Sequence, residues 1–226
     1  MIAEGVPGDL LPSDHELAER FGVSRMTARQ ATQRLTMEGA LYRVTGVGTF
    51  VARPPIRRPV SVLTSFSEEM RSRGFEPHSR LLVAKVRKAA TEEALALRLP
   101  PGVRVVNVRR VRLADETPIA VQNGVLPLAC APILEENLES GSLHEALRNI
   151  GRLPTYARGG LSAVAADVEH AALLGVRREH PLLLERLTVY DEHEEPVEYT
   201  ETRYVGDRYE FDIKLGRMPE SAHGSA

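Results

Sequence analysis

Apolar and polar positions divide the chain into a short helical opening, a proline-rich break and a longer mixed region. Leu11-Pro12-Ser13-Asp14-His15-Glu16 starts the first helix. Ser13 stands as its N-cap, Glu16 closes a capping box, and the spacing predicts a helix over Asp14–Phe21. Gly22-Val23 supplies a turn, and Ser24 caps a second helix predicted over 25–38. Ala28, Ala31 and Leu35 fall at i, i+3 and i+7, the spacing of a buried stripe, so Arg25, Thr27, Arg29 and Gln33 project elsewhere. Gly39 stops this helix, and two short strands, Leu41–Val44 and Gly48–Val51, flank a turn at Thr45-Gly46-Val47.

Two short helices on a tight turn form a helix-turn-helix, whose second helix fits the major groove of a DNA duplex. The hairpin behind it reads as a wing, with glycines that let backbone approach phosphate closely. Charge agrees with this reading. Residues 20–58 hold eight arginines and one acid, Glu38, in a chain of net charge −2. A local basic block on a near-neutral chain is the footprint of a nucleic-acid module, although a solvated arginine-rich face has the same composition.

Three prolines within 53–59 cannot continue a helix and favour extended backbone, so this stretch reads as a linker. The expected organisation is a DNA-binding domain over 1–52, a linker over 53–60, a second domain over 61–215 and a polar tail over 216–226. In the second domain Ser65-Phe66-Ser67-Glu68 and Ser142-Leu143-His144-Glu145 have capping-box form, and His144 reads as a surface helix residue. Alternating stretches at 103–113 and 118–126, about the turn Asp115-Glu116, predict one hairpin; 182–190 and 197–204 predict another. Leu97, Arg110, Asp115 and Glu116 recur 76 residues later as Leu173, Arg186, Asp191 and Glu192, so each half reads as a helix followed by a hairpin. Two such units pair into one antiparallel sheet with helices on one side, an α+β arrangement.

Candidate chemistry follows from the first hairpin. Arg110 and Arg112 are two apart on a strand and face the same side, and a symmetric turn about Glu116 sets Arg110 opposite Gln122. Two guanidinium groups and an amide suit an anion bearing hydroxyl groups, such as a sugar phosphate or a carboxylate. The other reading of the same residues is a solvent-facing charged strand. The single cysteine, Cys130, excludes an intrachain disulfide and a cysteine-based zinc cluster, and no metal site, cofactor site or catalytic nucleophile-base constellation is found. No apolar run reaches the roughly 20 residues of a membrane span, and no signal peptide is read at the start, so no membrane partner and a cytoplasmic location are expected.

Leu-Pro-Ser-Asp-x-Glu-Leu-Ala-x-x-Phe-Gly-Val-Ser-Arg-Met-Thr-Ala-Arg-Gln-Ala, with Gly-x-Gly-Thr-Phe-Val at the end, resembles the GntR family of winged-helix regulators. The resemblance implies that Ser24, Arg25, Thr27 and Arg29 meet double-stranded operator DNA and that Gly46 lies in or near the minor groove. Ser13, His15, Gln33, Arg43 and Thr45 complete the candidate DNA contacts. His15, Thr45 and Val47 stand where the family usually has arginine, His or Gln, and lysine, which weakens three phosphate contacts. Only Met1 to Gly5 remain of the family's first helix, which would leave the winged-helix core without one wall.

Ser65-Phe66-Ser67-Glu68-Glu69-Met70, Pro196-Val197-Glu198-Tyr199 and Gly206-Asp207-Arg208-Tyr209-x-Phe211 are similar to the UTRA domain of the HutC subfamily. That resemblance implies a chorismate-lyase-like α+β fold, a homodimer and one small-molecule effector pocket per subunit. By position Glu198 and Tyr204 correspond to effector contacts, while Ser79, Arg80 and Arg158 lie in or near contributing segments. Gln122 and Val205 replace a common glutamate and a common arginine. The function so implied is a repressor released from its operator by a small anionic metabolite. Its alternatives are a chorismate-lyase-like enzyme and an architectural DNA binder without an effector.

Overall fold

The computed structural model describes residues 7–37, 40–44, 47–51, 55–60 and 62–213, and the chain forms two compact units that divide after Ile56. In the first unit, α1 (Asp14–Phe21) and α2 (Arg25–Met37) precede the antiparallel pair β1 (Leu41–Val44) and β2 (Gly48–Val51). The Ser13–Glu16 capping box is present, Gly22 ends α1 at φ +63°, and Ser24 Oγ accepts the Thr27 amide at 3.1 Å. Leu11, Leu17, Ala18, Ala28, Leu41 and Val51 make the core. The expected stripe on α2 is only partly buried: Ala28 is covered, Leu35 is half-covered and Ala31 is exposed. Its outer side, with Phe21 and Val23, lines an open apolar groove. Position 38 and the wing tip at Thr45 and Gly46 lie outside the described residues.

The second unit is built on a six-stranded antiparallel sheet, in the order β4-β5-β6-β9-β8-β7. These strands are β4 (Pro77–Lys88), β5 (Arg104–Ala114), β6 (Thr117–Pro127), β7 (Tyr156–Ala165), β8 (Pro181–Tyr190) and β9 (Pro196–Val205). The repeat is visible in the topology. Each half is a strand, a helix and a hairpin: β4, α4 (Thr91–Ala96), β5 and β6, then β7, α6 (Val168–Leu174), β8 and β9. The leading strands β4 and β7 are additions to the sequence reading. The residue correspondence at 76 does not hold inside the strands. Arg110 lines the pocket described below, whereas Arg186 pairs with Glu201 on the opposite face from Glu185 and Leu187. Side chains alternate with period two, so a one-residue slip moves a residue through the sheet.

Helices cover both faces of this sheet, not one. Leu143, Ala146 and Leu147 of α5 (Leu143–Asn149), with Cys130 and Ile133 of the 3-10 helix Leu128–Glu135, pack on Val106 and Val108. On the other face Ala171 and Leu174 of α6 pack on Val111 and Val121, and Leu97 beside α4 packs on Val105 and Val125. Alternation along β5 sends Val106, Val108, Arg110 and Arg112 one way and Val105, Arg109 and Val111 the other. Two further elements border the first face. One is α3 (Phe66–Ser72), capped by Ser65 with Glu68; the other is β3 (Ile56–Pro59), which pairs with β10 (Tyr209–Asp212). Part of the expected linker is therefore a strand.

Candidate functional site

In the first unit the candidate DNA contacts gather on and before α2. Arg25, Arg29 and Gln33 follow one another at four-residue spacing, all exposed, on one helix face. Neither Arg25 nor Arg29 has an ion-pair partner among the described residues, so both guanidinium groups are available to a ligand. Ser13 and Ser24 serve as caps: Ser13 Oγ accepts the Glu16 amide at 3.3 Å, and Ser24 Oγ lies 2.8 Å from Thr27 Oγ1. His15 is exposed 3.5 Å from Glu19, one turn along α1. Arg43 is exposed on β1.

In the second unit a small pocket, open to solvent, lies on the first sheet face. Strands supply its floor: Arg110 and Arg112 from β5, Gln122 from β6, and Glu198, Thr200 and Tyr204 from β9. Glu185 of β8, Ser65, Phe66 and Glu69 at the start of α3, and His144 of α5 form walls, and Arg58 of β3 closes one side. Arg110 faces Gln122 in the observed register, as expected, though through a bulge between Arg112 and Leu113 and not a turn symmetric about Glu116, and donates to its Oε1 at 3.1 Å. It also donates to the carbonyls of Leu138 at 3.3 Å and Gly141 at 3.4 Å. Arg112 donates to Ser79 Oγ at 2.8 Å and Ser67 Oγ at 3.3 Å, and its guanidinium lies 4.3 Å from the Phe66 ring centroid. Both arginines are 2% exposed, which replaces the alternative of a solvent-facing charged strand.

Three buried guanidinium groups, Arg58, Arg110 and Arg112, meet three buried carboxylates, Glu69, Glu185 and Glu198. Burial lowers Arg110 to about 10, against the opposing pull of Glu198. Burial drives Arg112 well below its usual range, and the neighbouring charge of Arg110 adds to the shift. Burial also raises Glu185 and Glu69, more than their arginine and tyrosine contacts lower them. Burial opposes the Arg58 charge, yet Tyr204 and Glu185 hold its pKa above the usual value. Glu198 has room because Gly124 sits beneath it: a Cβ there would lie 2.9 Å from Glu198 Oε1.

Among the described residues five buried polar side-chain atoms lack a hydrogen-bond partner: Arg58 Nε, Arg112 Nε, Glu198 Oε1, Thr200 Oγ1 and Glu69 Oε1, the last with the Arg73 guanidinium 3.5 Å away. All five belong to residues that line this one pocket. An unsatisfied buried donor or acceptor carries a desolvation cost of about 1–3 kcal/mol, and a polar ligand removes it. The set includes donors and acceptors, so it suits a molecule with anionic oxygens and with hydroxyl or amine hydrogens.

Some expected positions fall elsewhere. Ser79 does not line the pocket and acts by holding Arg112. Arg80 is exposed and reaches the Leu173 carbonyl at 3.5 Å, on the α6 side of the sheet. Arg158 is exposed on β7, the outer strand, with its guanidinium 5.5 Å from the Tyr156 ring centroid. His144 is no surface residue: its side chain is 15% exposed and its Nε2 lies 3.4 Å from Glu198 Oε2. Sequence reasoning missed Arg58, Glu69, Glu185 and Thr200. Arg58 was hidden in the proline-rich stretch, and Glu69 follows a capping box that already accounted for its neighbours. Among the described residues no group of His, Cys, Asp and Glu is arranged to hold a metal, and no helix is long and apolar enough to cross a membrane.

A helix-turn-helix with a two-stranded hairpin, followed by a sheet domain with a polar pocket, defines a ligand-responsive regulator of transcription. Comparison with known proteins agrees. Residues 2–51 match the bacterial regulatory proteins of the gntR family, and residues 72–210 match the UTRA domain. The chain belongs to the GntR family and carries the UTRA domain of its HutC subfamily. It is 38% identical over 209 residues to the HTH-type transcriptional repressor NagR of Bacillus subtilis, covering 92% of this chain and 86% of that protein. It is 32% identical over 212 residues to the histidine utilization repressor of Klebsiella aerogenes, covering 93% and 87%. The crystal structure of PhnF from Mycobacterium smegmatis superposes with a TM-score of 0.70 at 29% identity, covering 96% of each chain. These relatives are named for repression of transcription and not for a reaction, so the enzyme alternative gives way to a transcriptional repressor of GntR type.

Proposed function

We propose that this protein represses transcription from an operator and releases that operator when its pocket takes up a small metabolite with anionic oxygens and hydroxyl or amine groups. The observation that carries this reading is the convergence of all five unsatisfied buried polar atoms on one pocket. Arg110 and Arg112 supply the positive floor, and Glu198 and Thr200 accept from the ligand. On the DNA side, Arg25 and Arg29 offer guanidinium forks to base edges or phosphates, with Thr27 and Gln33 beside them and Arg43 toward the backbone. A homodimer would present two recognition helices to the two halves of a near-palindrome. The functional division is a DNA-binding domain near 1–52, a connection near 53–60 and an effector domain near 61–215.

The relatives do not settle the metabolite, since one is named for histidine utilization and another for mannosyl-D-glycerate transport and metabolism. A thermal-shift screen with phosphorylated sugars, amino sugars and small acids, followed by mobility shifts on duplex DNA, tests the reading. A compound that raises the melting midpoint and weakens duplex binding supports it. A protein that binds DNA but responds to no compound of these classes is an architectural binder instead.

A further inference from the structure

Arg58 is the second residue of the second unit, on the first strand that follows the winged helix in the chain. On β3, Ile56 and Arg58 point inward while Arg57 and Pro59 point outward. The buried guanidinium donates through Nη1 to Glu185 at 3.1 and 3.3 Å and to the Tyr204 hydroxyl at 3.5 Å, and it lies 5.6 Å from the Phe211 ring centroid. The rest of its side chain is not fully engaged: Nε is buried with no hydrogen-bond partner, in a residue that lines the pocket. Outside this cluster, β3 is held by its pairing with β10, by the Val60 amide on the Asp212 carbonyl at 3.1 Å, and by the exposed Arg57–Glu210 pair at 3.1 Å. A two-stranded sheet of such short strands is marginal by itself.

We infer that Arg58 is a positioning residue through which the contents of the pocket set how firmly β3 is seated, and with it the start of the connection to the winged helix. The inference rests on the pocket being the effector site. Nε is closed off from solvent as β3 sits, so an anionic oxygen in the pocket reaches it with a small shift of the Arg58 side chain and then supplies the acceptor it lacks, in a charge-assisted bond inside a buried site. With the pocket empty, the same N–H is desolvated and unsatisfied, which favours the strand leaving. The ligand therefore interacts differently with seated and unseated β3, which is the requirement for shifting that equilibrium. Glu185 and Tyr204 form the fixed half of the clamp, since the tyrosine hydroxyl donates to the same carboxylate at 3.1 Å.

The test is amide hydrogen exchange of the segment 56–60 in the full chain, read beside the thermal midpoint. The probes are glucose 6-phosphate, glucosamine 6-phosphate and inorganic phosphate, each alone. The probe that raises the midpoint is expected to slow exchange of this segment about tenfold in the native sequence. In Arg58→Ala the same probe is expected still to raise the midpoint but to leave the segment's exchange unchanged. Arg58→Lys keeps the charge, loses the Nε donor, and is expected to give little of the protection. If Arg58→Ala does not fold, Glu185→Gln, which keeps the shape and removes the fixed charge, is expected to speed exchange of the segment without a probe. A midpoint that rises while exchange at 56–60 stays the same overturns the role of Arg58 and leaves the pocket intact. Failure of these probes, and of the amino sugars and small acids of the screen above, to move the midpoint overturns the pocket reading and this inference with it.

Discussion

Arg110 and Gln122 face one another across the β5–β6 hairpin, and the guanidinium donates to the amide oxygen at 3.1 Å. The same guanidinium fastens the segment before α5 through the Leu138 and Gly141 carbonyls. Arg110 thus shapes the pocket and holds the fold. Arg110→Ala is expected to lower unfolding free energy by about 3–5 kcal/mol, the cost of removing one member of a buried charged network. Gln122→Leu leaves the two carbonyl acceptors in place, so about 1–3 kcal/mol is expected there. Urea unfolding of both variants checks the order, and equal losses would show that the carbonyl contacts contribute nothing.

The exposed face of α2 makes a separate prediction. Arg29 is exposed and its guanidinium has no ion-pair partner among the described residues, so Arg29→Ala is expected to leave the unfolding free energy within about 0.5 kcal/mol of the native value. Its effect is expected to fall on DNA: loss of a bidentate contact, about 1–3 kcal/mol, weakens operator binding about fivefold or more. Mobility shifts at fixed salt measure this, with ligand-induced stabilisation as the control.

Gly124 leaves the space that the Glu198 carboxylate occupies. Gly124→Ala is expected to displace that carboxylate by a few tenths of an ångström or more and to weaken ligand binding. The effect on duplex binding without ligand should be small. Calorimetric titration of the variant reads the first effect, and unchanged ligand affinity would remove Glu198 from the set of contacts.

Glu93 offers a pH test away from both sites. Its carboxylate accepts from Arg87 Nη1 and Nη2, each at 2.7 Å, and from the Ala90 amide at 2.8 Å. Burial pushes its pKa up, but these bonds bring it below the ordinary value of 4.5. A carboxylate with a depressed folded pKa contributes stability above its unfolded pKa and loses it as pH falls through the folded one. Glu93→Gln is therefore expected to cost about 1.5–3 kcal/mol at neutral pH, with the difference from the native protein shrinking below pH 4.5. Unfolding curves between neutral and acidic pH follow that difference, and a constant gap would contradict the assignment.

The first unit was legible almost residue by residue, because local chemistry determines it. Capping residues mark where α1 and α2 begin, and glycine ends α1 at positive φ. The first hairpin and its turn at Asp115-Glu116 were legible too, but that two-residue turn pairs Ala114 with Thr117 and by itself would set Arg110 opposite Val121. The bulge between Arg112 and Leu113 shifts the register by one residue and brings Arg110 opposite Gln122, and no local pattern announces it. Elements that depend on distant partners were not legible. β3 is a strand only because β10, some 150 residues later in sequence, supplies its partner; the Arg57–Glu210 pair spans 153 positions. Arg58 and Glu185 are 127 positions apart, and no local pattern joins them. The burial of Arg112 likewise needed Ser67 and Phe66 from α3.

The open apolar groove beside α2 has a calorimetric consequence. Leu11, Leu17, Ala18, Ala28, Leu41 and Val51 form the covered cluster of the first unit among the described residues, and Phe21 next to them is 60% exposed. The second unit hides several clusters on both sides of its sheet. On heating, the unit with the recognition helix is therefore expected to give way at lower temperature than the unit with the pocket, as two separate steps in a calorimetric scan.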